Sequence, residues 1–392
     1  MTSAKEDPGL PQAMSLIALL AEEIGPRRPC SEAEAEAAER LRAGLAANGV
    51  EARIEPFRSL STFGLPVGML AGAGVLAGIV PRRYSVARSV VAVVAGLGAA
   101  YEGSFSRYGA ARLLARQTSR NLVAEIDAGG SADRTLCLVS HLDSSRSGLI
   151  FHPSVTPYLG KLVAGMGAAV LIQAGEPVLG RSAIGRRFLT AARAGLALTL
   201  AALAEREIRG VDVSGANDNA SGAAVTAALA SELASSPLES TRVVLLITGS
   251  EESGLLGMRH FLGAHDTTDW LFLNFDGVGS AAAMHFLRRE GGELHSWGAD
   301  PGMIRAAQDL SERRPDLSLT GTNRSSGLPY DSTPVLAGGG RALTISVQDR
   351  TIPDYHAPTD TVDRIDPDVV RRALETGREL IRAIDRGEAD LA

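Results

Sequence analysis

The sequence predicts an α/β fold: a doubly wound, mostly parallel mixed sheet flanked by helices, with apolar helical inserts. Two observations predict it. After residue 118, short apolar runs alternate with helix-like stretches, as in parallel strands joined by crossover helices. Four apolar runs are each followed by a residue that carries chemistry, and open α/β sheets bind ligands at that end of their strands.

In chain order, Ser31 to Asn48 reads as a helix and Glu51 to Phe57 as a strand, with another strand at 121–126. Thr135 to Val139 is an apolar strand followed by His141 and Asp143. Asp218 lies in the turn-like stretch Gly215 to Gly222, ahead of a helix from Ala223 to Ala234. Val243 to Ile247 leads into Gly249-Ser250-Glu251-Glu252-Ser253-Gly254. Trp270 to Phe275 ends at Asp276, and Leu343 to Val347 is followed after a short loop by Tyr355 and His356. Pro367 to about Arg386 reads as an amphipathic surface helix.

Glu251 and Glu252 are the most informative pair. Adjacent carboxylates at the mouth of a buried strand are costly unless a cation or a proton offsets their repulsion. A metal site suits them: one Glu binds the ion and the other moves a proton. Two histidines with carboxylates around them suit zinc, which accepts nitrogen and oxygen ligands. Taken singly, each residue has a plainer reading. Asp218 could be a helix cap, Asp276 a turn residue before Gly277, and Asp331 a turn residue before Ser332. His152, His260, His265, His285 and His295 read as structural. The constellation in this order points to a shared centre.

Five motifs, Ser140-His141-Leu142-Asp143-Ser144, Gly215 to Gly222, Gly249 to Gly257, Asn274-Phe275-Asp276 and Tyr355 to Asp360, resemble in order those of the zinc aminopeptidase family that includes aminopeptidase Y, aminopeptidase S and the bacterial leucyl aminopeptidases. Ile24-Gly25-Pro26-Arg27-Arg28 and the helix and strand after it resemble the family too. The resemblance implies a zinc-exopeptidase-like fold and two Zn2+ per chain. His141 and Asp276 would hold one ion, Glu252 and His356 the other, and Asp218 would bridge them. Glu251 would be the general base and acid. Asp143 would orient His141. Tyr355 would stabilise the tetrahedral intermediate. Two metals about 4 Å apart activate a shared water and polarise the scissile carbonyl. The expected substrate is a short peptide with a free N-terminus, its amine recognised in part by Glu251 and Asp276. Rival readings are a glutaminyl cyclase-like enzyme, a carboxypeptidase-like enzyme using Arg324 or Arg350 for a substrate carboxylate, and an inactive binding module.

Two inserts interrupt the peptidase domain, which is assigned to 1–60, 105–157 and 206–392. The insert at 61–104 contains the apolar runs Phe63 to Val80 and Val86 to Tyr101. The insert at 158–205 contains Tyr158 to Gln173 and Phe188 to Ala204. Their turns carry Arg82 and Arg83, and Arg181, Arg186 and Arg187. As membrane hairpins with basic cytoplasmic turns, they would leave the peptidase domain outside. Arg88, Lys161 and Arg193 argue instead for a soluble four-helix lid or a dimerisation surface on a cytoplasmic protein. Membrane association and homo-oligomerisation both stay open. The start lacks a secretory-signal pattern. A net charge of −6 disfavours nucleic acid as a partner, and two cysteines, Cys30 and Cys137, make no disulfide framework.

Overall fold

Ten strands are present in the described residues: β1 (Ala52–Ser59), β2 (Gln117–Ile126), β3 (Arg134–His141), β4 (Thr241–Thr248), β5 (Leu271–Asp276), β6 (Met284–Leu287), β7 (Arg289–Gly291), β8 (Ser296–Gly298), β9 (Leu319–Thr322) and β10 (Arg341–Val347). The computed structural model describes residues 7–79, 82–105, 110–293, 295–323, 328–348 and 351–390. Eight strands form one sheet in the order β1-β2-β4-β3-β5-β10-β6-β9, and β7 and β8 pair separately. The central β4, β3, β5 and β10 run parallel, while β1, β2 and β6 join antiparallel. This is the expected mostly parallel mixed sheet.

Alternate residues of each central strand face opposite layers. Leu136 and Leu138 join one core with Leu245, Leu273 and Ile345, whereas Cys137 and Val139 join the other with Val244 and Phe272. Burial on both faces is why these strands read as continuous apolar runs. The first layer contains α1 (Leu10–Ala18), α2 (Glu32–Ala47), α8 (Gly222–Ser235), α10 (Pro301–Arg313) and α12 (Pro367–Asp385). The second contains α9 (Leu256–Ala264) and α11 (Ser332–Ala337). Ser31 caps α2 by accepting a hydrogen bond from the Glu34 amide, and Asn48 follows its last turn. The α12 helix buries Val369, Val370, Leu374, Leu380 and Ile384 as its period requires.

The inserts are helical: α3 (Gly64–Ile79) and α4 (Ser85–Glu102) in the first, α5 (Leu159–Ala174), the short α6 (Glu176–Leu179) and α7 (Ala183–Arg209) in the second. Helices α3, α4, α5 and α7 pack into a four-helix bundle through Ala71, Ala95, Ala169, Val170, Ala192 and Leu196. The last helix outruns its apolar stretch at both ends. Ser182 caps its start, and polar residues down to Arg209 continue it.

Leu245→Ala in the middle of β4 is expected to cost about 2–5 kcal/mol in urea unfolding, because its site is enclosed on all sides and cannot collapse.

Candidate metal centre

Parallel pairing brings the candidate residues together. His141 is the last residue of β3 and pairs with Thr248 at the end of β4. Asp276 is the last residue of β5 and pairs with Ser346 near the end of β10. Glu251 and Glu252 follow β4, and His356 lies on the loop after β10. Four neighbouring strands therefore deliver their polar ends to one edge of the sheet. Asp218 arrives from the segment just before α8.

Asp218 is the centre of the cluster. Its Oδ1 lies 3.2 Å from His141 Nε2 and its Oδ2 lies 3.3 Å from His356 Nε2. Asp276 Oδ2 lies 3.7 Å from His141 Nε2, and Glu252 Oε1 lies 3.0 Å from His356 Nε2. Two donor triads result, His141–Asp218–Asp276 and Asp218–Glu252–His356, all buried, with ligand atoms within 4.8 Å of one another in each. Glu251 lines the same pocket beside Leu328, Pro329, Tyr330, Ile352 and Tyr355.

The donor set fits metal ions. His141 Nδ1 lies 3.0 Å from the Asp143 carbonyl oxygen, which can only accept, so Nδ1 carries a proton. In the neutral ring, Nε2 then presents a lone pair to two carboxylates, an arrangement that needs a cation or a second proton. Burial would lower the His356 pKa, but Glu252, 3.0 Å away, and Asp218 raise it to about 9. Titration behaviour shows the same excess of negative charge. Burial would lower the His141 pKa, but Glu251, Asp218 and Asp276 together hold it well above the ordinary value. Burial pushes Asp276 up to about 8, with Asp218, Asp331 and Glu252 adding to the rise despite the opposing pull of His141. Burial also raises Glu251 far above an ordinary carboxyl. Against its own burial, Asp218 is held low by hydrogen bonds from both histidines. A divalent cation would offset this excess of negative charge.

The surrounding groups fix the ligands. Asp143 acts on His141 through its carbonyl. Its carboxylate instead accepts from the amides of Glu251 and Glu252, each at 3.0 Å, and so shapes the turn after β4. Asp143 is thus the residue beside His141 Nδ1, through its carbonyl at 3.0 Å and with its carboxylate at 3.9 Å. Asp360 accepts from the Asn217 amide at 2.7 Å and the Asp218 amide at 3.1 Å, positioning the backbone that carries the Asp218 carboxylate. Ser145 Oγ lies 3.0 Å from His356 Nδ1. Arg27 is fully buried and donates to the carbonyls of Leu20, Gly25, Leu142, Ser214 and Gly215. That guanidinium ties the chain's beginning to the loop after β3 and the approach to Asp218. Gly215 has φ +60°, and a Cβ there would lie 2.4 Å from the Asp218 carbonyl oxygen, so only glycine fits.

Tyr355 stacks on the His356 ring at 3.8 Å, and Phe151 meets that imidazole edge-on at 4.3 Å. Asp331 is buried, accepts from Thr248 Oγ1 and raises the carboxyl pKa of both Glu251 and Asp276. The histidines read as structural lie elsewhere: His260 stacks on Phe57, His265 pairs with Glu55, and His285 bonds the Gln348 carbonyl. Arg324 and Arg350 lie outside the described residues. Asp360 and Arg27 stood inside motifs already singled out, but nothing in their spacing announced what they hold. Phe151 carried no signal.

Residues 201–381 match the profile of Peptidase family M28. Comparison with curated proteins gives no match. Among solved structures, the chain is similar to BSAP, a zinc aminopeptidase from Bacillus subtilis. The two are 15% identical, covering 96% of this chain and 95% of that one, with a TM-score of 0.57. An aminopeptidase from Aneurinibacillus sp. strain AM-1 is 16% identical over 95% of this chain and 93% of its own, TM-score 0.55. A glutaminyl cyclase from Tannerella forsythia is 13% identical over 95% and 98%, TM-score 0.51. These likenesses show a shared α/β fold, and the match to the Peptidase family M28 profile over 201–381 is consistent with the zinc aminopeptidase resemblance of the motifs.

Asp360→Asn keeps the size of the side chain but removes its charge beside the two amides. Zinc affinity, read by chelator competition, is expected to fall about 10–100-fold, the usual cost of losing a group that positions a ligand.

Proposed function

We propose that the chain is a two-zinc aminopeptidase acting on the free N-terminus of short peptides. The observation that carries this reading is the pair of donor triads sharing Asp218, with Glu251 beside them in the same pocket. Bound zinc would supply Lewis-acid polarisation of the scissile carbonyl and a water made acidic at neutral pH. His141, Asp218 and Asp276 would hold one ion, and Asp218, Glu252 and His356 the other.

Glu251 is the group placed to move a proton. It adjoins the ligands without belonging to either triad, and its raised pKa suits a carboxyl that takes a proton and later returns it to the leaving amine. Tyr355 lines the pocket with its ring stacked on His356, and its hydroxyl would donate to the developing oxyanion. Among the described lining residues, the ionisable groups besides the two histidines and two tyrosines are the carboxylates of Asp218, Glu251, Glu252 and Asp276. Such carboxylates suit a substrate ammonium, and hence a free N-terminus. Leu328, Pro329 and Ile352 form an apolar wall that suits an apolar N-terminal side chain.

Glu251→Gln is expected to retain zinc and fold while losing about 10²–10⁴-fold in turnover of leucine p-nitroanilide. Near-normal turnover would remove Glu251 from the mechanism.

Two zinc ions per chain and chelator-sensitive release of leucine, with no cleavage of the N-acetylated substrate, are the expected results for the parent protein. One zinc per chain, with cyclisation of N-terminal glutamine and release of ammonia, would assign the cyclase reaction instead.

A further inference from the structure

We propose that the bundle of α3, α4, α5 and α7 crosses a lipid bilayer as two hairpins, with the peptidase domain on one side and both arginine-bearing turns on the other. Every exposed large apolar side chain among the described residues lies between Leu65 and Val211. Those on the bundle point outward from all four helices: Met69 is 54% exposed, Val94 63%, Leu97 64%, Leu162 53% and Leu198 70%. A soluble lid would turn such residues inward. A second copy or a partner protein would cover one face, whereas a bilayer encloses all of them.

The interior is built the opposite way. Arg88, Gln173 and Glu176 are buried within the insert. Arg88 donates to the Ala77 carbonyl at 2.7 Å and lies 3.5 Å from Glu176. Gln173 donates to the Leu189 carbonyl and accepts from Arg193. Charged and amide groups satisfied inside, with large apolar groups outside, are what a hydrocarbon solvent demands. Arg88 and Arg193, which argue against insertion when read as sequence alone, are thereby accounted for.

Length and charge agree. Thr156–Ala174 and Ala183–Arg209 are long and apolar enough to cross a bilayer, while α3 and α4, of 16 and 18 residues, are roughly 24 and 27 Å long and would need local thinning of the hydrocarbon core of about 30 Å. The far turns carry exposed Arg83, Arg181, Arg186 and Arg187, the charge pattern of a cytoplasmic side. At the foot of the bundle, Arg206 lies over Phe63, and Phe63 meets Phe151, which contacts His356. The pocket would therefore open close to the membrane surface. The proposal does not depend on the reaction catalysed.

The test uses the full chain expressed in a bacterial host. Expected are recovery in the membrane pellet, resistance to alkaline carbonate and release only by detergent. With Cys30→Ser and Cys137→Ser as background, Glu239→Cys on the peptidase domain is expected to react with an impermeant maleimide from outside. Arg186→Cys is expected to react only after permeabilisation. Tryptic protection of the Arg181–Arg187 turn in the unaltered chain provides a second readout should the cysteine variants fail to fold. Recovery as a detergent-free soluble monomer or oligomer would overturn the proposal. So would labelling or cleavage of the turn from the same side as the peptidase domain.

Discussion

The structure turns on carboxylates gathered at one edge of a sheet. Asp143, Asp218, Glu252, Asp276, Asp331 and Asp360 are all buried around a single pocket, with Glu251 at its wall. Buried like charges repel strongly, and an unpaired buried carboxylate is costly. The protein's own answers are partial. Two imidazoles face Asp218, backbone amides solvate Asp143 and Asp360, and the Arg27 guanidinium lies behind the cluster. The remaining charge is of the kind that divalent cations would offset. Burial raises the Glu251 pKa, whereas hydrogen bonds from the two histidines hold Asp218 low against its own burial, so one cluster of acids contains groups suited to different tasks.

Such a cluster is useful only if it does not move. The ligands come from five separate segments, and each is held by groups outside the metal positions. Arg27 joins the N-terminal segment to Leu142 and to Ser214 and Gly215, next to His141 and before Asp218. Asp143 shapes the Glu251–Glu252 turn, and Asp360 holds the Asp218 backbone. The buried Glu34 accepts from Ser119 and from the amides of Cys30 and Ser250, so α2 also supports the turn after β4. The candidate donors are thereby fixed in place by the surrounding fold, which would lower the cost of binding an ion.

The bundle is coupled to this centre through few side chains. Phe151, on the loop after β3, touches both an imidazole of the site and the base of the insert. The sheet buries its apolar residues on both faces, while the bundle packs through alanines and turns its larger residues out. One chain thus follows two packing rules, and the change occurs where α3 leaves β1 and α7 returns towards Asp218.

Periodicity and chemistry made the sheet, the inserts and the candidate ligands legible in the sequence. A parallel strand buried on both faces is an apolar run, and residues at its end stand out because nothing else there is polar. His141, Glu251, Glu252 and Asp276 could be found that way, while Asp218 and His356 stood out through the motifs around them. The reach of Arg27 across the fold, the support from Glu34 and Asp360, and the diversion of the Asp143 carboxylate to two amides were decided only in three dimensions. A hydrogen bond between segments more than a hundred residues apart leaves no mark on local pattern. Which face of each insert helix points outward was likewise hidden, because a helix apolar all round has no face until it packs.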